Sequence, residues 1–274
     1  MCDYMLRTHY SAHVTQKHAG KTVVVAGWVQ KIRDLGKMKF IVLRDKEGEI
    51  QIIAKKGDTP EKVFSVIAEL TRESVISVRG RVEPAKNTPN DVEIVPDEIV
   101  ILAKSEAPLP LETDTHIQST LDKRLDFRSI DLRLPRNQAI FKVQSTLIQE
   151  MQAFLRSKDF LQIFTPCIMG VASESGAEVF PVVYFNKEAF LRQDPQLHRQ
   201  LCIAGGLEKV YDIGPSWRAE QSHTTRHMCE HRVMAVETSF IKDEYDVIEL
   251  QENLVSYAMK KLKKDCKEEL QMFN

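Results

Sequence analysis

Between Lys21 and Leu102 the apolar residues come in short runs, TVVVAGWV, KFIVLRD, EIQIIAK, SVISVRGRV and DVEIVPDEIVIL, punctuated by Gly, by Asn-Thr-Pro-Asn and by Lys-Glu-Gly. Runs of that length with alternating character are strands, because side chains along a strand point to opposite faces with a period of two. One segment departs from the pattern. PEKVFSVIAELTRE places Val63, Ile67 and Leu70 on one helical face, with Pro60 near its start. Five short strands with one inserted helix is the pattern of an OB-fold, a small barrel that often binds oligonucleotides.

After the last strand, KSEAPLPLETDTHIQST carries Pro108, Pro110 and no periodicity, which reads as an extended linker. The division expected is a barrel over residues 1–105, a linker and hinge over 106–136, and a mixed helix-and-strand domain over 137–274. In that second domain NQAIFKVQSTLIQEMQAFLRSKD has helical spacing (Ile140, Val143, Leu147, Met151, Leu155), and FLQIFTP then begins a strand. KVYDIGPSWRAE and HRVMAVETSFI read as two strands around a polar loop. EYDVIELQENLVSYAMKKLKKDCKEELQMF reads as a long amphipathic helix with Val247, Leu250, Leu254, Tyr257, Met259 and Leu262 on or near one face. The fold class expected is α+β.

Charge and cysteine usage narrow the functional classes. Thirty-eight Lys and Arg face 39 Asp and Glu in 274 residues, so any nucleic-acid contact has to come from a local patch. The five cysteines are scattered and form no C-x-x-C, which fits a reducing cytoplasm better than a disulfide framework or a zinc site. No apolar run approaches the roughly 20 residues a membrane helix needs.

The stretch WRAEQSHTTRHMCE concentrates Arg218, Glu220, Arg226, His227 and Glu230 between two apolar runs. Charges at that density form either a solvated hairpin or a site for a ligand with several charges of its own. A planar guanidinium held between antiparallel strands suits a phosphate better than an ammonium does.

With these residues in view, the chain resembles class II aminoacyl-tRNA synthetases, and within them the archaeal and eukaryotic type of aspartyl-tRNA synthetase. GWVQKIRDLGKMKFIVLRDKEGEIQI is similar to that family's anticodon-binding barrel, RLDFRSIDLR to its hinge, DFLQIFTP to its first motif and WRAEQSHTTRHMCE to its second. The resemblance implies ATP-dependent activation of aspartate and its transfer to tRNA. It places Arg218 between the α-phosphate of ATP and the amino-acid carboxylate, and puts Glu220, Arg226, His227 and Met228 around the adenine and outer phosphates. It implies an aspartate pocket from Glu174, Gln196, Arg199 and Arg218, and anticodon contacts from Phe40, Gln51 and Glu93. No protein nucleophile is required, since the substrate carboxylate attacks the α-phosphorus and the protein positions and stabilises charge.

This chain departs from the family at several points. Arg199 stands where Lys is usual, Asp194 where Ser is usual, and Ser175-Gly176 where Gly-Gly is usual; Asp194 either pairs with a nearby cation or caps the following helix. On pattern alone Phe40, within KFIVL, reads as barrel core; the resemblance moves it to the RNA-binding face. Lys31, Arg33, Lys37 and Lys39 are candidates to track phosphates. The family's glycine-rich third motif, with its γ-phosphate Arg and Mg²⁺ carboxylates, has no counterpart, and no Gly follows Gly214. Two functions are therefore weighed: an aspartate–tRNA ligase whose remaining motif and magnesium ligands belong to a missing C-terminal part, or a non-catalytic tRNA-binding relative. A homodimer through the first-motif helix is expected on either.

Overall fold

The structure, a computed structural model, describes residues 7–113, 119–171, 178–222, 224 and 226–273. The chain forms two compact units, Met1–Glu112 with Ile117–Phe127 and Thr113–His116 with Arg128–Asn274.

In the first unit, β1 (Thr22–Asp34), β2 (Met38–Arg44), β3 (Glu49–Lys55), β4 (Val75–Pro84) and β5 (Val92–Ala103) close into a barrel in the order β1-β2-β3-β5-β4. Helix α1 (Glu61–Glu69) lies between β3 and β4 in sequence and packs Val63 and Ile67 against the barrel core. The period-two pattern does the folding: Val23, Val25, Val29, Ile41, Leu43, Ile50, Ile52, Ile76, Val78 and Ile94 all point inward and are buried, while the residues between them face out. A barrel this small brings backbones close together. A Cβ on Gly27 would stand 2.3 Å from the Arg44 carbonyl oxygen, and one on Gly80 2.2 Å from that of Val95. Register shifts between Val29 and Lys31 in β1 and between Arg79 and Gly80 in β4 supply the local bends that closure demands.

The segment read as an extended linker is packed over part of its length. Leu111 is buried, and Glu112 accepts from Arg72 at 2.6 Å. Beyond it come two helical pieces, α2 (Leu121–Asp126) and α3 (Arg128–Asp131). Proline at 108 and 110 removed the periodicity that would have shown this packing in the sequence.

The second unit continues with α4 (Pro135–Ser157), β6 (Leu161–Gln162), β7 (Ile168–Met169), β8 (Pro181–Tyr184), β9 (Lys187–Leu191), α5 (Gln196–Cys202), β10 (Lys209–Trp217), β11 (Glu230–Thr238), α6 (Glu244–Asp265) and α7 (Lys267–Gln271). β10 and β11 pair antiparallel over nine residues, β6 adds a short parallel rung, and β7, β9 and β8 form a second sheet. Phe154, Leu155, Phe160, Tyr211 and Leu254 are the buried centre, with Ile213, Met234 and Val236 packed against them. The segment read as one long helix is α6 and α7, broken at Cys266; α6 buries Leu254, Ala258 and Leu262 and leaves Met259 exposed, and Asp243 precedes its first residue. Its N-terminus is capped by Asp243, whose side chain accepts the Tyr245 amide hydrogen at 3.0 Å. No helix among the described residues is long and apolar enough to cross a membrane.

Ile52 is fully buried in the barrel, whereas Leu35 in the β1–β2 turn is largely exposed. Ile52→Ala is therefore expected to cost about 2–5 kcal/mol in the urea unfolding of the barrel, and Leu35→Ala to stay within about 0.5 kcal/mol. Equal effects would mean that the barrel interior is not the source of its stability.

Candidate active site

The β10–β11 ribbon has two chemically different faces. Tyr211 and Ile213 of β10 and Met234 and Val236 of β11 belong to the apolar cluster with α4 and α6. Strand alternation sends Asp212, Gly214 and Ser216 of β10, and Ala235 and Glu237 of β11, to the opposite face. Arg218 follows the end of β10 in the same phase.

Arg192, just after β9, lies over this polar face and is almost wholly buried. Its Nε donates to the Pro215 carbonyl at 2.6 Å and its Nη1 to the Thr165 carbonyl at 3.2 Å, with a further contact to the Thr165 hydroxyl. Asp212 lies 3.3 Å from the same guanidinium and accepts the Thr165 hydroxyl at 2.6 Å. A buried guanidinium without an anion would be expensive, and removing one member of such a pair typically costs about 3–5 kcal/mol. The backbone adds to the tie: Trp217 N donates to the Arg192 carbonyl at 3.0 Å, and the Ser216 hydroxyl donates to that of Gln193. The segment that leads into α5 is thereby laced to the strand that leads into Arg218. Sequence reading passed over Arg192 and Asp212. The available signal was two opposite charges, each embedded in an apolar strand run (FLRQ and YDIG).

Arg199, on α5, is buried and not a helix-surface cation. Its Nη1 and Nη2 donate to the two carboxylate oxygens of Asp194 at 3.0 and 3.2 Å, and its Nε donates to Glu237 at 3.4 Å. Burial by itself would lower the Arg199 pKa; the hydrogen bonds and charges of Asp194, then of Glu237, outweigh it and leave the pKa above the ordinary arginine value. Of the two roles open to Asp194, pairing is the one observed. Pro195 is the residue at the start of α5, and no side chain caps the helix. Gln196, the first residue of that helix, is exposed.

Arg218 is exposed, and its side chain makes no ion pair among the described residues. Its backbone amide donates to the Cys229 carbonyl at 3.0 Å, closing the loop between the strands, and the Ala219 amide donates to Glu178. Glu220 is half-buried. In the turn beyond, the Thr224 hydroxyl lies 2.6 Å from His227 Nδ1 and accepts the Arg226 amide hydrogen at 3.2 Å. Arg226, His227 and Met228 are exposed. Glu174 and Ser175-Gly176 lie outside the described residues. Among the described residues no group of three His, Cys, Asp or Glu is placed to hold a metal ion.

On the barrel, Lys31, Val42, Gln51 and Glu93 stand in one cross-strand row over β1, β2, β3 and β5. Gln51 Nε2 donates to Glu93 at 3.0 Å. Phe40 is on the same outer face, beside Arg33, and is half-buried, not part of the barrel core. Of the four cations expected to track phosphates, Lys31, Arg33 and Lys37 are exposed, but Lys39 is turned inward, buried 4.6 Å from the Phe64 ring and 3.3 Å from Asp34. The Asp34 carboxyl is held below its usual pKa, first by the Gly36 amide and then by Lys39.

A Cβ on Gly214 would stand 1.9 Å from Arg192 Nη2, whereas one on Gly205 meets nothing within 4 Å. Gly214→Ala is expected to lower stability by about 1–3 kcal/mol in chemical denaturation, since a pinned guanidinium cannot step aside, and Gly205→Ala to be near neutral. An unshifted midpoint for Gly214→Ala would show that Arg192 is not fixed where the structure places it.

Comparison with known proteins agrees with this geometry. The description "tRNA synthetases class II (D, K and N)" matches residues 120–274, more than half of the chain, and "OB-fold nucleic acid binding domain" matches residues 23–102. The aspartate–tRNA(Asp/Asn) ligase of Methanopyrus kandleri is 41% identical over 97% of this chain and 62% of its own length. That of Sulfurisphaera tokodaii is 44% identical over 98% and 62%. Among solved structures, asparaginyl-tRNA synthetase from Pyrococcus horikoshii complexed with asparaginyl-adenylate superposes with a TM-score of 0.92 at 32% identity, covering 98% of this chain and 61% of that one. A putative aspartyl-tRNA synthetase from Leishmania major superposes at 0.88 with 31% identity, over 99% and 55%. The chain spans about three fifths of the length of the curated relatives it matches. With that description matched over more than half of its length, the chain belongs to the class II tRNA synthetases (D, K and N).

Proposed function

We propose that the chain carries the anticodon-binding barrel and the amino-acid-activating ribbon of an aspartate–tRNA ligase, in which the aspartate carboxylate attacks the α-phosphorus of ATP and expels pyrophosphate, and the aspartyl group then passes from the adenylate to tRNA with release of AMP. The observation that carries the reading is Arg218: an exposed guanidinium beyond the end of β10, without a carboxylate partner among the described residues, in a chain that matches curated aspartate–tRNA ligases across both units. A planar fork of donors held by a strand end is suited to bridge an α-phosphate and a substrate carboxylate, where charge changes hands in adenylate formation. Glu220, Arg226, His227 and Met228 are assigned to the nucleotide, and Gln196, Arg199 and Glu174 to the amino acid. Mg²⁺ binds through one or two carboxylates together with the substrate phosphates; the charge handling assigned here to residues of this chain is that of its arginines. The exposed Ile140 and Phe141 of α4 fit a homodimer contact, in which the same patch is buried on both copies.

RNA recognition is assigned to the outer barrel face. Phe40 supplies a ring for a base to stack on, the Gln51–Glu93 pair supplies donors and acceptors for base edges, and Lys31, Arg33 and Lys37 supply charge for phosphates. The test is binding of the aspartate-tRNA anticodon stem-loop to residues 1–274. Phe40→Ala is expected to weaken it by about 1–3 kcal/mol, and exchanging the anticodon bases to weaken it comparably. Affinity indifferent to both the ring and the anticodon sequence would overturn the assignment.

A further inference from the structure

Asp194 contributes both of its oxygens to Arg199, and Glu237 takes the guanidinium from the other side. Arg199 is therefore compensated by two carboxylates, and the trio carries formal charge −1. The burial is uneven. The Arg199 side chain is 6% exposed, against 31% for Asp194 and 25% for Glu237, so a ligand arriving from solvent meets carboxylates before it meets the cation. The Asp194 pairing is also the geometry a substrate side-chain carboxylate would adopt on a guanidinium, two parallel N–H···O bonds.

We propose that Asp194 is a specificity-determining residue of the amino-acid pocket, an internal carboxylate that occupies the Arg199 fork and competes with the side-chain carboxylate of a free acidic amino acid. The inference rests on the reading of this ribbon face as an amino-acid site. An incoming aspartate has to displace Asp194 and leave it beside a second anion, a like-charge cost that the partial exposure of Asp194 reduces but does not remove. A neutral carboxamide of the same shape carries no such penalty. The discrimination therefore falls on the acidic side chain and spares the amide. Asp194 reaches no reacting atom; it acts through Arg199, by charge.

Calorimetric titration of residues 1–274 with L-aspartate and with L-asparagine tests this. Asp194→Ser and the isosteric Asp194→Asn are expected to tighten aspartate binding at least tenfold and to leave asparagine within about threefold. The gain should vanish when Arg199→Ala is added to Asp194→Ser. Glu237 continues to compensate Arg199 in both single variants, and unchanged thermal melting confirms that they fold. An aspartate affinity unmoved by either variant, or an equal gain for both amino acids, overturns the inference while anticodon-dependent binding by the barrel keeps the ligase reading in place. Absence of binding of either amino acid by every variant overturns the inference together with the amino-acid pocket, and loss of anticodon-dependent RNA binding as well would bring down the whole ligase reading.

Discussion

The polar half of the second unit depends on one buried cation. Arg192 reaches the Thr165 and Pro215 carbonyls and the Asp212 carboxylate, and so joins the segment after β6, the end of β9 and the middle of β10. The tie is made by fixed hydrogen bonds to the guanidinium. They hold the chain in register where it turns from β10 toward Arg218 and from β9 toward Asp194. Gly214 is the residue that leaves room for this, because any side chain at that position would collide with the guanidinium.

Three arginines around β10 thereby take different parts. Arg192 is structural, compensated by Asp212 and by carbonyl oxygens. Arg199 is compensated by Asp194 and Glu237. Arg218 alone of the three is exposed and, among the described residues, carries no internal anion. A cation whose compensation has to come from a ligand is told apart by its burial and pairing better than by its place in the sequence. The barrel follows the same economy of faces. Inward positions are apolar along β2 from Ile41 to Leu43, while Phe40, Val42, Gln51 and Glu93 lie on the outer face.

Much of this was legible from residue order. Alternation in five short runs identified the barrel and its inserted helix, and WRAEQSHTTRHMCE marked the charged loop. Local pattern read Phe40 as barrel core, because a strand of apolar residues reads the same whichever face is wet; the register puts it on the outer face, half-buried. Lys39 was misread as surface for the converse reason: its position is inward, and only the ring of Phe64 and the carboxylate of Asp34 make a buried ammonium tolerable there. The Arg192–Asp212 and Arg199–Glu237 pairs span 20 and 38 residues of sequence, a separation at which no periodicity connects them. Asp194 and Arg199 are five apart, and sequence left two roles open; the coordinates choose pairing over capping.

The division among the three arginines is the claim on which the account stands, and it is open to a single measurement. Arginine ¹³Cζ signals of the assigned protein can be followed while a non-hydrolysable ATP analogue is added. The account predicts that the Arg218 signal moves with saturation while those of Arg192 and Arg199, held by their own carboxylates, stay in place. An Arg218 signal that stays still while Arg192 or Arg199 responds would contradict it.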